Sequence, residues 1–255
     1  MSDLLKDKVA LITGAASGMG AADAKKLVQD GARVVITTDK KVDQGKKLAD
    51  HLGKKAAFFK LNVSDFANWQ KAVQFTENTF GPLNILVNNA GLSGRWVEME
   101  SMSEKEYKKV IEVDQIGTFL GMKAVLPSMK KAQFGSIINI ASVAAMKVMP
   151  KQMAYTASKW AVRGMTKVAA QELAKYHIRV NVILPGVINT PMGEINDPYV
   201  KSALNSEVKA SPLKRQGKPQ EVADLVAFLA SSQSSYMTGA DLVIEGGRTT
   251  GSVDL

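Results

Sequence analysis

Short apolar runs alternate with amphipathic segments along the whole chain. Continuous runs such as 9–12 and 85–87 are typical of strands that are buried on both faces of a parallel sheet. Between these runs, apolar residues recur at helical spacing, which predicts helices that pack on the sheet. We therefore expect strands over 9–12, 33–38, 56–63, 85–87, 136–141, 179–184 and 241–244, and helices over 21–30, 41–52, 65–80, 103–131, 152–176 and 219–230.

This alternation predicts an α/β fold with a doubly wound parallel sheet flanked by helices. The 255 residues suit one large domain, and neither a linker composition nor an internal repeat divides them, so we expect a single domain over 1–255. The polar, proline-marked stretch 187–218 departs from the alternation. We expect it to form an insertion over the functional site, where it can act as a lid.

Composition and charge narrow the class of protein. The chain is 45% hydrophobic, has no run of eighteen apolar residues and begins without a secretory pattern, so we expect a cytoplasmic protein without a membrane span. The absence of cysteine excludes disulfides, thiolate metal sites and cysteine nucleophiles. The net charge is +9, but the lysines are spread through predicted helices without a dense basic arm. We therefore expect a solvated basic surface and no nucleic-acid partner.

Tyr155 and Lys159 lie four residues apart in a predicted helix, so their side chains share one face. In that position the ammonium of Lys159 can stabilise a phenolate. Ser142 follows a predicted strand and offers a hydroxyl that can hold a substrate oxygen. The three residues suit proton transfer to or from an oxygen, although the Tyr-x-x-x-Lys spacing is also common by chance.

A glycine-rich loop, Thr13-Gly14-x-x-x-Gly18-x-Gly20, connects the first predicted strand to the first helix. Glycines let the backbone approach a phosphate, and a helix N-terminus offers free N–H groups and partial positive charge. The spacing differs from G-x-G-x-x-G, and ordinary turns also use glycine. The position of the loop, between a strand and a helix, nevertheless predicts a phosphate-binding site.

These motifs, with Asn88-Asn89-Ala90-Gly91 and Pro185-Gly186-x-x-x-Thr190, resemble the short-chain dehydrogenase/reductase family in order and spacing across the chain. The resemblance implies a Rossmann-type fold, a nicotinamide cofactor, no metal, and hydride transfer between the cofactor and a ketone or secondary alcohol. Segments 155–164 and 245–251 look similar to bacterial 3α(or 20β)-hydroxysteroid dehydrogenases and to secondary alcohol dehydrogenases of lactic acid bacteria.

The resemblance also implies residue roles. Tyr155 would be the acid/base, Lys159 would support it and hold the nicotinamide ribose, and Ser142 would orient the substrate carbonyl. Relatives are mostly tetramers, which implies a homotetramer paired through long helices and the last strand. The residues implied in cofactor binding are Gly14, Ser17, Gly18, Met19, Gly20, Asp39, Asn62, Val63, Asn89, Ala90, Gly91, Tyr155, Lys159, Pro185, Gly186, Val187, Ile188 and Thr190.

The choice of cofactor depends on Asp39, nineteen residues after Gly20. An acid there can bind the adenosine ribose hydroxyls and repel a 2′-phosphate, so we expect NAD. NAD-selective relatives more often carry the acid where this chain has Thr38, and Lys40 and Lys41 can attract a phosphate, which leaves NADP open.

Two further positions depart from the family. Alignment on Gly117 puts Asp114 where relatives have a proton-relay asparagine; it can hold the water that leads from Lys159 to solvent, or pair with Lys159. Asn62 stands where many relatives have an adenine-contacting aspartate.

Apolar residues are expected to border the substrate and favour a hydrophobic ketone or secondary alcohol, with a steroid among the candidates. Methionines equally fill ordinary cores. Two alternatives are a 3-oxoacyl-carrier-protein reductase, favoured by the basic surface, and a non-catalytic nucleotide-binding scaffold, suggested by Asp114. The expected substrate-side residues are Leu92, Trp96, Val143, Ala144, Met149, Met153, Met192, Ile195, Tyr199 and Leu204.

Overall fold

Seven parallel strands form one sheet in the order β3-β2-β1-β4-β5-β6-β7. The computed structural model describes residues 3–193 and 196–250. The strands are β1 Val9–Thr13, β2 Arg33–Thr38, β3 Ala56–Lys60, β4 Ile85–Asn88, β5 Gly135–Ile140, β6 Ile178–Pro185 and β7 Asp241–Ile244. The helices are α1 Gly18–Gln29, α2 Val42–Leu52, α3 Phe66–Phe80, α4 Glu104–Val110, α5 Gly117–Ala132, α6 Met153–Leu173, α7 Pro198–Ala210 and α8 Pro219–Ala230. The predicted doubly wound α/β fold is confirmed.

The strand order runs outward from β1 in both directions, through β2 on one side and β4 on the other, which places a crevice at the carboxyl ends of β1 and β4. Leu11 of β1 is paired in parallel with Val35 of β2 on one side and with Leu86 of β4 on the other. In open parallel sheets, ligands bind outside the carboxyl ends of the strands at such a switch point. The loops that follow β1 and β4 therefore lie where a ligand is expected.

Both faces of the sheet are covered by apolar layers. On one face, Leu27 of α1 and Val226 of α8 pack with sheet residues such as Ile36. On the other face, Trp69 of α3 and Met129 of α5 pack with further strand residues, and both side chains are fully buried. Full burial of one large apolar side chain contributes roughly 1.5–3 kcal/mol, so these layers fix the sheet on which the site is built.

The helix expected over 103–131 is divided. Helix α4 is followed by a π-helical segment, Ile111–Ile116, before α5 begins. Such segments disturb the regular helical register, and Asp114 within this one is fully buried. Gly121 permits close packing, because a Cβ there would lie 2.7 Å from Cζ2 of Trp69.

The expected insertion over 187–218 contains a helix that the sequence analysis missed. The Asp197 side chain caps α7 by accepting hydrogen bonds from the backbone N–H groups of Tyr199 and Val200, and Pro198 follows it. Aspartate at the N-cap followed by proline is a recognised helix start. Within residues 3–193 and 196–250, no helix is both long and apolar enough to span a membrane.

Candidate active site

The glycine loop after β1 adopts a backbone that requires glycine. Gly14 and Gly18 have φ values of +63° and +58°, in the left-handed region. A Cβ on Gly14 would lie 2.9 Å from Cα of Ala90, and one on Gly20 would lie 2.5 Å from Nδ2 of Asn89. The loop therefore packs directly against the residues that follow β4.

Hydrogen bonds lock these two loops together. Thr13 Oγ1 accepts from the backbone N–H groups of Asn89 and Ala90, each at 3.0 Å. The Asn89 amide donates to the Thr13 carbonyl at 2.9 Å. The Asn89 side chain thus holds the glycine turn in place, and its neighbours Ala90 and Gly91 line the open space in front of it.

The open space fits a dinucleotide. Ser17 precedes α1 without capping it through its side chain, so the first N–H groups of the helix remain free for a phosphate. A cleft of about 1040 Å³ begins there. Its lining includes these predicted cofactor residues: Gly14, Ser17, Gly18, Met19, Asp39, Asn62, Val63, Asn89, Ala90, Gly91 and Thr190. We call this space the dinucleotide cleft.

One part of the cleft is lined by a carboxylate and two lysines, Asp39, Lys40 and Lys41. Asp39 follows β2, and Lys40 Nζ lies 3.4 Å from its Oδ2. Lys41 Nζ donates to Ser17 Oγ at 3.1 Å. Asn62 is exposed, and its side-chain oxygen accepts from the backbone N–H of Ser64 at 3.1 Å. The site therefore holds one group that favours ribose hydroxyls and two cations that favour phosphate.

A second cavity, of about 220 Å³, adjoins the cleft and shares Met19, Ser93, Thr190 and Met192 with it. We call it the catalytic cavity, because Ser142 and Tyr155 both line it. Its lining also includes the remaining predicted cofactor residues of the β6 loop, Pro185, Gly186, Val187 and Ile188. Gly20 lies behind the glycine turn and Lys159 behind the tyrosine, and neither lines the two spaces.

The tyrosine, lysine and serine are brought together from two elements. Lys159 Nζ lies 5.4 Å from the centroid of the Tyr155 ring, one turn away on α6. The Lys159 side chain is buried and donates to the Ile140 carbonyl at 3.2 Å. Ser142 Oγ accepts from the Ala144 N–H at 3.1 Å, which leaves its own hydrogen to donate to a ligand. The arrangement can polarise and protonate a carbonyl oxygen.

Asp114 forms an ion pair with Lys159. Its Oδ2 lies 3.2 Å from Lys159 Nζ, and its Oδ1 accepts from the Leu92 N–H at 2.8 Å. Burial raises the pKa of Asp114, and the charge of Lys159 only partly offsets this. Burial alone would lower the pKa of Lys159, but attraction to Asp114 and Tyr155 raises it overall, so the lysine stays charged. Of the two roles expected for Asp114, the structure shows the pairing.

The expected substrate residues divide into three groups. Trp96, Val143, Met149, Met192 and Leu204 line the catalytic cavity, and Leu92 lines the dinucleotide cleft. Ala144 is buried, whereas Met153 and Tyr199 are 46% and 42% exposed, with the Tyr199 ring edge-on to Trp96. Ile195 lies outside the described residues.

The sequence analysis missed other lining residues. Val200, Glu207 and Val208 of α7 line the catalytic cavity, as does Arg248 in the turn after β7. The apolar positions 200, 204 and 208 follow helical spacing and could have revealed an amphipathic helix. Glu207 and Arg248 are 41 residues apart, and no comparable local pattern in the sequence predicts that they line the same cavity.

Comparisons with known proteins agree with this geometry. A family model described as Enoyl-(Acyl carrier protein) reductase matches residues 14–249. The trans-4-hydroxycyclohexanecarboxylate dehydrogenase of Sinomonas cyclohexanicum is 44% identical, over 98% of this chain and 96% of that protein. The 3-alpha-(or 20-beta)-hydroxysteroid dehydrogenase of Mycobacterium bovis is 40% identical, over 98% and 93%.

A solved structure has the same fold. The crystal structure of levodione reductase superposes with a TM-score of 0.91 at 32% identity, covering 97% of this chain and all of that one. Matches of this extent confirm the family resemblance seen in the sequence motifs, including the likeness to hydroxysteroid dehydrogenases. The chain belongs to the short-chain dehydrogenase/reductase family and is an oxidoreductase that acts on CH–OH groups with a nicotinamide cofactor.

Proposed function

We propose that the protein interconverts a compact hydrophobic secondary alcohol and its ketone, with NAD as the cofactor and Tyr155 as the acid/base. The observation that supports this proposal most directly is that Tyr155 and Ser142 line one cavity next to the dinucleotide cleft, with a charged lysine behind the phenol. The cavity of about 220 Å³ is smaller than the roughly 300–1,000 Å³ of drug-sized ligand sites. This favours a single ring over the four rings of a steroid.

The proposed chemistry assigns each residue one task. When bound, the nicotinamide cofactor accepts or supplies the hydride. In alcohol oxidation Tyr155 takes the hydroxyl proton as a phenolate, and in ketone reduction it returns that proton to the oxygen. Lys159 stabilises the phenolate by its charge, and Ser142 donates a hydrogen bond to the substrate oxygen. Apolar walls such as Val143 and Met149 keep water from the reacting atoms.

The preference for NAD is supported by Asp39, whose carboxylate lines the dinucleotide cleft. A 2′-phosphate near this carboxylate would be repelled, whereas ribose hydroxyls can donate to it. Lys40 and Lys41 reduce the repulsion, so we expect a preference and not an absolute choice. The kcat/KM values with NAD and NADP measure this preference, and a higher value with NADP would overturn it.

The substrate class is tested by a panel of ring ketones and secondary alcohols, followed at the nicotinamide absorbance. We expect turnover of cyclohexanone-type substrates above that of open-chain acids and sugars. The alternative, reduction of a 3-oxoacyl thioester on an acidic carrier, is supported by a 41% identical 3-oxoacyl-[acyl-carrier-protein] reductase of Thermotoga maritima and by Lys105, Lys108 and Lys109 at the cleft. Higher efficiency with 3-oxoacyl thioesters than with ring ketones would favour that alternative.

The proposal also includes a homotetramer and a lid that moves over the active site. A homotetramer is supported by outward apolar side chains on α5 and α6, where Phe119, Trp160 and Val168 are 48%, 47% and 59% exposed. A lid over 187–218 is supported by the α7 residues that line the catalytic cavity. A cytoplasmic location suits an enzyme that draws on the cell's dinucleotide pool. Light scattering tests the tetramer, and hydrogen exchange with and without NAD tests the lid.

A further inference from the structure

Three charged side chains meet where α7 borders the catalytic cavity. Glu207 Oε2 accepts from Arg248 Nε at 3.2 Å, and it also forms an ion pair with Lys147. The exposed fractions of the Lys147, Glu207 and Arg248 side chains are 23%, 19% and 34%. Charges that are this far removed from water are costly unless each meets a partner. Here two cations share one carboxylate, so the cluster carries a surplus positive charge.

Arg248 has unused hydrogen-bond donors. Its contact with Glu207 goes through Nε, and within the described residues neither of its terminal nitrogens donates to a protein acceptor. The guanidinium group is a planar fork that matches a carboxylate with two parallel hydrogen bonds. Because Arg248 lines the catalytic cavity, this free side of the fork is available to a bound molecule.

The other charged side chains of the cavity are hydrogen-bonded to groups of their own. Arg215 donates to both carboxylate oxygens of Glu221, at 2.9 and 2.7 Å. Glu245 accepts from the backbone N–H groups of Gly247 and Thr249, at 3.1 and 3.0 Å. Of the described arginines that line the cavity, Arg248 is therefore the one whose two terminal nitrogens have no protein acceptor.

We propose that Arg248 makes the enzyme specific for ring alcohols and ketones that carry a carboxylate. The guanidinium fork binds the carboxylate while Tyr155 and Ser142 act on the alcohol or ketone oxygen, and the apolar walls contact the ring. Glu207 and Lys147 hold Arg248 in position. This inference rests on the proposed function and adds the anionic substituent to it.

The test compares two ketones with the same ring and one different substituent, charged in one and neutral in the other: 4-oxocyclohexanecarboxylate and its methyl ester. The wild type is expected to have the higher kcat/KM for the carboxylate. Arg248→Gln is expected to lower that value about 10- to 100-fold, mainly through KM, and to lower the value for the ester clearly less, because the neutral ester can accept only a weaker hydrogen bond. Arg248→Lys keeps the charge without the fork, so it should lose part of the preference. Arg95→Gln is the matched control: this arginine is paired with Glu106 and lines neither the catalytic cavity nor the dinucleotide cleft, so the variant should keep the preference.

The outcomes separate the inference from the proposed function. Equal loss for both ketones in the Arg248 variants, or a wild-type preference for the ester, overturns the carboxylate site while the ester still reports a ketone reductase. The ester activity of each variant also reports whether it has folded. If the wild type reduces neither ketone with NADH or NADPH, the proposed function fails and the inference fails with it.

Discussion

Substitution of Asp114 tests the electrostatics of the active site. Its carboxylate lies 3.2 Å from Lys159 Nζ, and the same nitrogen lies 5.4 Å from the Tyr155 ring centroid. The charge of Lys159 therefore stabilises two anions, the Asp114 carboxylate and the Tyr155 phenolate, whenever the phenol is ionised. Asp114→Asn removes one negative charge but keeps an oxygen that can accept the Leu92 N–H.

The size of the effect follows from the separation of the two anions. Like charges about 8 Å apart interact by about 2 kcal/mol at an effective dielectric of 20. That energy corresponds to about 1.5 pH units, and solvent in the open cavity reduces it to about one unit. Alcohol oxidation needs the phenolate. With Lys159 still charged in the variant, where it keeps its hydrogen bond to the Ile140 carbonyl, removal of the nearby negative charge favours the phenolate. We therefore expect the rising limb of the oxidation profile to move about one unit to lower pH.

The assay is the pH dependence of kcat/KM for alcohol oxidation by the wild type and Asp114→Asn. Asp30→Asn is a matched control, because Asp30 is also buried and lies 3.2 Å from Lys26 Nζ, yet it lines neither the cleft nor the catalytic cavity. Its profile should coincide with that of the wild type. An unmoved or upward-shifted profile for Asp114→Asn, or an equal shift in the control, would refute the reasoning.

Two further substitutions test the scaffold. Asp23→Ala should raise the free energy of unfolding by about 1–3 kcal/mol, because both Asp23 carboxylate oxygens are buried and have no hydrogen-bond partner among residues 3–193 and 196–250. Burial raises the pKa of Asp23, because it disfavours the ionised carboxylate. The free energy of unfolding of the wild type is therefore highest below the unfolded pKa of about 3.9, where Asp23 is protonated in both states, and it declines as pH rises through the folded pKa. Urea unfolding across this range should show a steeper decline for the wild type than for the variant, and parallel curves would contradict the assignment. Gly20→Ala should abolish dinucleotide binding, because its Cβ would lie 2.5 Å from Asn89 Nδ2. Gly164→Ala should bind normally, because a Cβ there would meet no described atom within 4 Å beyond its chain neighbours and the backbone of its own helix. Titration by fluorescence checks both variants, and equal affinities would refute the packing argument.

Local patterns were sufficient to predict the sheet and the pairing of Tyr155 with Lys159. Strands such as Val9–Thr13 are buried on both faces and read as continuous apolar runs. The tyrosine and lysine are neighbours because a helix brings residues four apart together. Both signals are contained in short segments of sequence.

Most of the features that the sequence left open or missed depend on contacts between distant segments. Asp114 and Lys159 are 45 residues apart in sequence, and only the folded chain decides whether the carboxylate holds water or pairs with the lysine. The cluster of Lys147, Glu207 and Arg248 likewise joins three separate segments. Helix α7 is different, because Asp197-Pro198 gave a local start signal that the polar composition of the stretch obscured.

The central claim, that the Tyr155 hydroxyl carries the proton, is tested most directly by Tyr155→Phe. The variant keeps the ring and loses only the hydroxyl, so turnover should fall at least about 100-fold while the dissociation constant for NADH stays close to that of the wild type. Retention of more than about a tenth of the wild-type kcat, with cofactor affinity intact, would contradict the account.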